Sequence, residues 1–477
     1  MKAVAYIRGD YTRASSPGCR AEMYDALARP LSYEVKGSEF SAIRREGEWD
    51  GRKRLVWKSG PNAVRIPTGL WPMAKNLLVD RGFAIDERHA YGKPRKVAFG
   101  AWGSFPLRGY QGEAVRGFLG PLRAHFDWRG VLKMPIRSGK TLTAAYIARA
   151  SGLRTLFIAT SDFLVEQAFR VFEDALPGAT ITAVGGGMGD DASGDVVVMS
   201  IATLAARAGG EWFKSIRDSF GLVICDEVHH ICAGATEWRD AVIKIRAPSK
   251  LGLSGTLDEG DAGIRLWARA ICGPTVYEVP MRQMVEDGHL MEARVDFLRY
   301  ETPTMGEKAW TAKTTYRDGI VNCLARNSLI VVEAVREVEA GHRVLIDCRR
   351  VGHARGLGAQ LRALLPHGQA VVLVGASKDK DRKKALAGLL DGRVRVIVST
   401  VMGEGVDVPG LEVVINASGG KGGSAMVQRL RNLTTAPGKT YCRVVEPFDA
   451  HHPTLVEWTR SRASMYRALG CFDLRVL

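Results

Sequence analysis

Two short stretches of the chain carry residues that could bind and hydrolyse a nucleotide. The first is Ser138-Gly139-Lys140-Thr141, which follows the apolar run GVLKM and precedes the helical pattern LTAAYIARA. A strand, such a loop and a helix are together typical of phosphate binding, because the backbone amides and the helix N-terminus attract an anion. We expect Ser138 and Gly139 to wrap the phosphates, Lys140 to reach the β- and γ-phosphates, and Thr141 to bind Mg²⁺.

The second stretch is LVICDEVHH, an apolar run that ends in two acids. Asp226, at the carboxyl end of the predicted strand, can hold Mg²⁺ directly or through water. Glu227 can orient and deprotonate an attacking water. His229 and His230 follow at positions where an acid–imidazole relay would couple this site to a neighbouring one. The two stretches together predict an ATP and Mg²⁺ site with a general base.

These residues must be positioned by parallel sheets, because short β-branched runs alternate with helical patterns after residue 100. After a break near residue 286, a second series of similar size begins. Two consecutive α/β series predict two stacked lobes. The predicted strands of the first series are 130–134, 155–160, 195–200, 222–227 and 250–256, and those of the second are 342–348, 369–375, 394–400, 411–417 and 440–446.

Composition points to a polyanionic partner. The chain has 477 residues, which predicts about three domains, and a net charge of +16. Residues 1–100 hold 19 Lys and Arg against 11 Asp and Glu, half of the surplus in about a fifth of the chain. An excess concentrated in this way favours nucleic acid. No run reaches the roughly 18 apolar residues of a membrane span, and the N-terminus lacks a signal-peptide core. We therefore expect a cytoplasmic protein.

The 8 cysteines never form a Cys-x-x-Cys pair. The chain is also too long for a disulfide-stapled scaffold, so we expect reduced thiols. Cys225, His229, His230 and Cys232 could be drawn as a zinc site. The acid–imidazole relay explains the same histidines better, and we therefore reject zinc.

The order of the motifs resembles that of superfamily 2 helicases and translocases, and most of all their UvsW-like and XPB-like branch. The stretches that carry the resemblance are LRGYQGEAV, MPIRSGKT, ATSDFLVEQ, SIATL, ICDEVHH, LGLSGT, RVLIDCRRVGHA, VSTVMGEGVDVPGLEVVINAS and MVQRL. It covers about residues 105–450, and so many ordered motifs make it specific. The fold it implies is α/β, with two tandem RecA-like lobes that bind ATP at their cleft.

The resemblance also implies roles for individual residues. In the nucleotide site it places Arg108 and Gln111 at the adenine base, and Gly405 and Asp407 at the nucleotide. Gln428 and Arg429 remain from the family's motif VI. DNA contacts are implied for Thr160, Ser200 and Thr400. Ser254 and Thr256 match the motif that links hydrolysis to DNA movement.

The N-terminus, FSAIRREGEWDGRKRLVWKSG and onward, resembles the small α+β accessory DNA-binding domain of UvsW-like proteins. Cations that bind phosphates beside aromatic rings that stack on bases make a plausible nucleic-acid surface. The alternative is that the tryptophans are core residues. The candidate residues are Arg44, Arg45, Trp49, Arg52, Lys53, Arg54, Trp57 and Lys58.

Two departures from the family pattern concern hydrolysis. Arg137 stands at a loop position that usually holds a small residue. In QRLRNLTT, Arg431 replaces the motif VI glycine, and Asn432 and Thr435 replace the later arginines, the last of which normally neutralises transition-state charge. Arg137 or Arg431 could supply the missing cation, hydrolysis could be slow, or hydrolysis could be lost. The sequence leaves these three possibilities open.

The sequence thus predicts an ATP-dependent DNA helicase or translocase that acts on duplex, single-stranded or branched DNA, in recombination, repair or replication. The alternatives are a hydrolysis-impaired DNA-binding or assembly scaffold, and an RNA helicase. We expect a monomer, in the host cytoplasm if the gene is from a phage. The predicted parts are a DNA-binding domain (1–100), a first lobe (101–285), a linker (286–310), a second lobe (311–455) and a tail helix (456–477).

Overall fold

The computed structural model divides into two compact units, Met1–Val279 and Pro280–Leu477. The structure describes residues 1–92, 94–120, 127–135, 137–185, 187–255, 257, 261–306, 310–401, 410–422, 435 and 439–477. Six residues with predicted or possible roles lie outside these ranges, namely Thr256, Gly405, Asp407, Gln428, Arg429 and Arg431. Among the described residues, no helix is both long and apolar enough to cross a membrane.

The first unit begins with a small mixed sheet. Its strand order is β5-β6-β2-β1-β7, with β1 antiparallel to β2 and parallel to β7. Alternate residues of β1, Ala3, Ala5 and Ile7, are buried, which is the pattern of a strand with one face on a core. The elements are β1 (Lys2–Ile7), β2 (Tyr11–Ser15), α1 (Arg20–Ala28), β3 (Ser32–Glu34), α2 (Ala42–Arg45), β4 (Arg52–Arg54), β5 (Trp57–Lys58), β6 (Ala63–Pro67), α3 (Trp71–Asp80) and β7 (Ala84–His89).

A sheet of seven described strands, all parallel, follows in the same unit. Its order is β10-β11-β9-β12-β13-β8-β14, so the sheet contains all five strands predicted for the first lobe. The elements are α4 (Gly109–Leu119), β8 (Arg129–Lys133), α5 (Lys140–Ser151), β9 (Thr155–Ala159), α6 (Asp162–Ala175), β10 (Ile181–Val184), β11 (Val196–Ser200), α7 (Ile201–Arg207), α8 (Glu211–Ile216), β12 (Leu222–Cys225), α9 (Val228–Ala233), α10 (Thr236–Lys244), β13 (Ser249–Ser254), α11 (Ala262–Cys272) and β14 (Thr275–Glu278).

The small N-terminal sheet packs tightly against the seven-stranded sheet of the same unit. A Cβ added at Gly9 would lie 2.1 Å from the carbonyl oxygen of Arg246, so the two backbones touch where only glycine fits. Arg129, on β8, donates a hydrogen bond to the Gly9 carbonyl at 2.8 Å. The predicted boundary at residue 100 therefore lies inside one compact unit, and a cut there would expose a shared core.

The second unit is built on another parallel sheet of seven described strands, in the order β17-β18-β16-β19-β20-β15-β21. All five strands predicted for the second lobe are present. Tandem parallel α/β sheets are the predicted fold, which is confirmed. The elements are α12 (Met281–Glu286), β15 (Ala293–Leu298), α13 (Ala312–Tyr316), α14 (Leu324–Glu339), β16 (Val344–Asp347), α15 (Val351–Leu364), β17 (Ala370–Leu373), α16 (Asp379–Leu390), β18 (Val396–Ser399), β19 (Val413–Asn416), β20 (Arg443–Pro447), α17 (Pro453–Leu469) and β21 (Phe472–Val476).

Two boundaries predicted for this unit are wrong. Strand β15 lies within the predicted linker 286–310, where Arg294 and Asp296 interrupt the apolar pattern. Asp296 is fully buried and pairs with Arg443 of β20, so these charges belong to the interior of the sheet. The predicted tail helix also ends early, at Leu469, and β21 then adds a strand beside β15. As an edge strand with little burial, β21 leaves only a weak sequence signal.

The second unit contains a network of buried ion pairs. Arg326 Nε lies 2.8 Å from Asp449 Oδ1, and Arg462 Nε lies 2.8 Å from Glu446 Oε2. Arg462 also reaches Asp449 at 3.3 Å, so one carboxylate serves two guanidinium groups. These four side chains are at most 1% exposed. Arg462, which the sequence presents only as one of several tail arginines, is therefore a core residue.

Candidate functional site

The phosphate loop lies between β8, which ends at Lys133, and α5, which begins at Lys140. Gly139 precedes the helix with φ +73°, and a Cβ there would lie 2.5 Å from Gln111 Nε2. Glycine is therefore required both by the backbone conformation and by the contact. Helix α5 begins directly after Gly139, and the amides in the first turn of a helix have no partner within it, which is the arrangement that attracts phosphate.

Arg137 occupies the loop in a left-handed conformation, with φ +67°. A side chain costs about 1–2 kcal/mol in this region, where glycine would cost little. Among the described residues, only one other non-glycine residue has a positive φ, and that is Glu227 at +43°. Both strained residues belong to the predicted nucleotide site, and such strain is commonly found at functional sites.

The carboxylate pair follows β12 and faces the loop lysine. Lys140 Nζ lies 3.0 Å from Glu227 Oε1. Burial would lower the pKa of Lys140, but the charges of Glu227 and Asp226 outweigh it and the net shift is upward. Conversely, burial would raise the pKa of Glu227, but Lys140 and then His229 lower it below its usual value. Glu227 is therefore ionised at neutral pH, as a general base must be.

Asp226 differs from its neighbour. Burial, and then the adjacent charge of Glu227, raise the pKa of Asp226 to about 7. One of its oxygens accepts a hydrogen bond from the Glu227 amide at 3.1 Å. A nearby cation would stabilise the ionised form of a carboxyl group whose pKa is raised in this way. This is consistent with the prediction that Asp226 is a ligand of Mg²⁺. Thr141, the other predicted ligand, lies in the first turn of α5 and is half-buried.

A chain of polar side chains leads from the base to the end of β13. His229 Nδ1 lies 3.4 Å from Glu227 Oε2 and 2.8 Å from Ser254 Oγ. The ring of His230 lies against that of His229, with centroids 4.2 Å apart. The structure therefore brings together both histidines and Ser254, as the relay requires. Among the described residues, no group of three His, Cys, Asp or Glu side chains could hold a metal ion.

The start of α4 braces the phosphate loop. Gln111 Nε2 donates to the Ser138 carbonyl at 2.8 Å, and its Oε1 accepts from the Arg108 amide at 2.9 Å. Tyr110 donates its hydroxyl to the same Ser138 carbonyl at 3.0 Å, and Arg108 Nη1 donates to the Arg137 carbonyl at 3.3 Å. The sequence analysis placed Arg108 and Gln111 at the adenine base and gave Tyr110 no role. In this structure all three hold the loop.

The predicted basic surface is only partly accessible. Arg44 pairs with Glu34 at 2.8 Å, Arg52 donates to Ser32 Oγ at 2.8 Å, and Arg54 pairs with Asp50. Their cations are thus already partnered within the protein. The exposed members of the set are Arg45, Lys53 and Lys58.

The predicted stacking tryptophans are not free platforms. Trp57 packs against the core of the first unit, with its ring edge-on to Tyr11 at 5.9 Å. Trp49 is half-buried, and its indole N–H donates to the Arg52 carbonyl at 2.9 Å. Neither tryptophan is fully buried, but both side chains already have partners within the protein.

The other residues with implied DNA contacts differ in exposure. Thr160 and Thr400 are half-buried and follow β9 and β18, at the carboxyl ends of their sheets. Ser200 is 2% exposed, and its hydroxyl accepts a hydrogen bond from the Thr203 amide at the N-terminus of α7. A buried capping hydroxyl is not available to a DNA strand. Ser200 therefore has a structural role in this structure.

A loop with a lysine, a facing Asp-Glu pair and tandem parallel sheets together define a nucleotide-binding α/β protein with two RecA-like units. Residues 104–259 match the family of the type III restriction enzyme res subunit, and residues 326–431 match the helicase conserved C-terminal domain. The chain belongs to the superfamily 2 helicases, and both family matches lie within the range of the resemblance seen in its sequence.

Relatives of known name support the same class. The chain is 24% identical over 470 residues to the ATP-dependent DNA helicase UvsW of Enterobacteria phage T4, covering 91% of this chain and 88% of that protein. It is 26% identical over 372 residues to the DNA 3'-5' translocase XPB2 of Sulfurisphaera tokodaii, covering 69% and 78%. In fold it is similar to the DNA-bound Type ISP restriction-modification enzyme LlaBIII, with a TM-score of 0.57 and 16% identity over 79% of this chain and 32% of that one.

Proposed function

We propose that this helicase hydrolyses ATP to move along DNA and remodel duplex or branched DNA. The observation that carries the proposal is the chain of contacts from Lys140 through Glu227 and His229 to Ser254. It joins a phosphate-binding lysine and a general base to the motif that, in this family, links hydrolysis to DNA movement. The named relatives that act on DNA support DNA over RNA as the partner.

The residues of the site fit ATP and Mg²⁺. Gly139 has no room for a Cβ, because Gln111 Nε2 would lie 2.5 Å from it, and Lys140 supplies an ammonium group from the first turn of α5. Thr141 and Asp226 offer the oxygen ligands that Mg²⁺ prefers. When bound, Mg²⁺ would neutralise charge on the phosphates. Both of these predicted Mg²⁺ ligands belong to the first unit.

Glu227 acts as the base for the attacking water. Its ionised carboxylate accepts a proton from the water as the water oxygen bonds to the terminal phosphorus. Lys140 Nζ lies 3.0 Å from this carboxylate. Phosphate oxygens compete for the same ammonium group, so a bound nucleotide would weaken the ion pair and leave Glu227 to engage water. The ion pair therefore ties base activity to the presence of the substrate.

Ser254 should transmit DNA binding to the base. We expect Ser254→Ala to reduce the stimulation of ATP turnover by DNA about tenfold, the effect of losing one well-formed hydrogen bond. Turnover without DNA should stay nearly unchanged, because the substitution leaves the carboxylate of Glu227, the proposed base, intact. Ser215→Ala, which removes an exposed hydroxyl of the same unit, is the control. Steady-state ATPase assays with and without DNA measure this, and undiminished stimulation in Ser254→Ala would argue against the relay.

The exposed basic residues of the N-terminal sheet should contribute phosphate contacts. We expect the double variant Lys53→Ala, Lys58→Ala to weaken DNA binding and to reduce the slope of log affinity against log salt by about 2, one unit for each lost contact. The control removes Arg170 and Lys214, which are paired with acids on the surface. Fluorescence anisotropy at several salt concentrations gives both slopes. Equal slopes for the variant and the wild type would exclude this surface from binding.

The proposed function is tested by comparing how strongly forked DNA, single-stranded DNA and RNA stimulate ATP turnover, and whether they are substrates for strand separation. We expect DNA to stimulate turnover and forked DNA to be opened in an ATP-dependent reaction. Stronger stimulation by RNA would favour an RNA helicase. DNA binding with no turnover above background would favour the scaffold.

A further inference from the structure

At one position the phosphate loop has a side chain although its backbone conformation favours glycine. Among the described residues, two non-glycine residues have a positive φ, and Arg137 has the larger value, +67°. Glycine would adopt the same conformation without strain. The backbone geometry therefore gives no reason for an arginine here, and a reason has to come from the guanidinium group.

The surrounding contacts fix the loop on both sides of this residue. Arg108 donates to the Arg137 carbonyl at 3.3 Å, and Tyr110 and Gln111 both donate to the Ser138 carbonyl. Ser138 Oγ in turn donates to the Pro135 carbonyl at 2.7 Å. These contacts brace the backbone of Arg137 and Ser138 in the strained conformation. Arg137 is half-buried, and it belongs to the same unit as Lys140.

The sequence lacks two arginines of the family pattern that usually speed hydrolysis. At the positions where the family carries the motif VI arginines, this chain has Asn432 and Thr435. The charge that develops on the transferred phosphoryl group must still be neutralised for fast hydrolysis. An arginine is suited to this task, because its planar fork can donate two hydrogen bonds to phosphate oxygens.

We propose that Arg137 is a catalytic residue, whose guanidinium binds phosphate oxygens of ATP and stabilises the charge of the transition state. In this step the water oxygen bonds to the terminal phosphorus, the bond from that phosphorus to the ADP oxygen breaks, and the proton passes to Glu227. The products are ADP and inorganic phosphate. The assignment rests on the proposed ATPase function and names a cation source within the phosphate loop itself.

Three variants separate charge from backbone strain. Arg137→Ala removes the charge and keeps the strain, Arg137→Lys keeps both, and Arg137→Gly removes both. We expect turnover to fall roughly 10²-fold in the Ala and Gly variants, the effect of losing one transition-state donor, and less in the Lys variant. The dissociation constant for ATP should change by less than about threefold, whereas affinity for ADP with aluminium fluoride should fall in parallel with turnover.

The Gly variant gives a readout that does not depend on activity. Relief of strain should raise its melting temperature by a few degrees while its turnover falls. A Gly variant that melts higher and turns over like the wild type would overturn the proposal, and so would an Ala variant that loses ATP and aluminium fluoride affinity equally. If wild-type turnover does not exceed that of Glu227→Gln, the proposed ATPase function fails instead. Arg170→Ala, an exposed arginine of the same unit, is the control.

Discussion

Replacing Glu227 by glutamine is expected to reduce ATP turnover by about 10²–10⁴-fold, the range for loss of a general base. The amide keeps the size of the side chain and can still accept from the Gly255 amide, which lies 3.5 Å from Oε2. It cannot accept a proton from water. Affinity for ATP should be equal or higher, because Lys140 no longer has an anionic partner to leave. Steady-state turnover and binding of a fluorescent ATP analogue measure the two effects separately.

The matched control is Glu237→Gln, which makes the same substitution at an exposed position of α10. It should leave both turnover and affinity unchanged. If Glu227→Gln lowered ATP affinity and turnover together, its role would be in binding, and another group would have to serve as the base.

The second large effect concerns stability. Replacing Asp449 by alanine is expected to destabilise the second unit by about 3–5 kcal/mol, the cost of leaving buried charges without a partner. Asp449 accepts from Arg326 at 2.8 Å, from Tyr300 at 2.7 Å and from Arg462 at 3.3 Å. All three donors would lose an acceptor that water cannot replace, since Arg326 and Arg462 are fully buried. Urea denaturation of the full chain, followed by fluorescence, measures the change.

Asp473→Ala is the control for this experiment, because Asp473 pairs with Arg475 on the surface, with both side chains about half exposed. That variant should unfold at the same urea concentration as the wild type. A loss of less than about 1 kcal/mol in Asp449→Ala would mean that the network is solvated or rearranges easily.

The stabilisation that Asp449 provides depends on pH in a definite direction. Burial would raise the pKa of Asp449, but Arg326 and Arg462 lower it below its usual value. The stabilisation is therefore fully present above the unfolded pKa of about 3.9 and is lost only as the pH falls through the folded value.

The architecture was predictable where burial leaves an uninterrupted signal. Runs such as TLFIAT and VRVIVST are covered on both faces in a parallel sheet, so their apolar character is continuous and easily recognised. Strand β15 was not predictable in this way, because Asp296 inside it is neutralised by Arg443, which is far away in the sequence. Charge pairing of this kind depends on tertiary structure and has no local signature.

The candidate site shows the same division. The spacing of Lys140, Asp226 and Glu227 relative to apolar runs was enough to predict that they would meet, because parallel strands end at one edge of a sheet. The support of the loop by Tyr110 was not predictable, since an aromatic residue in an amphipathic helix usually reads as core. Whether Trp57 would face a base or the interior also depended on packing, and it packs against the core.

The most direct test of the account is the rate of ATP hydrolysis by the wild-type chain, with and without forked DNA, compared with Glu227→Gln under the same conditions. We predict that forked DNA stimulates the wild type and that Glu227→Gln stays near background in both conditions. Wild-type turnover no greater than that of Glu227→Gln would contradict the account and would leave a protein that binds nucleotide and DNA without hydrolysis.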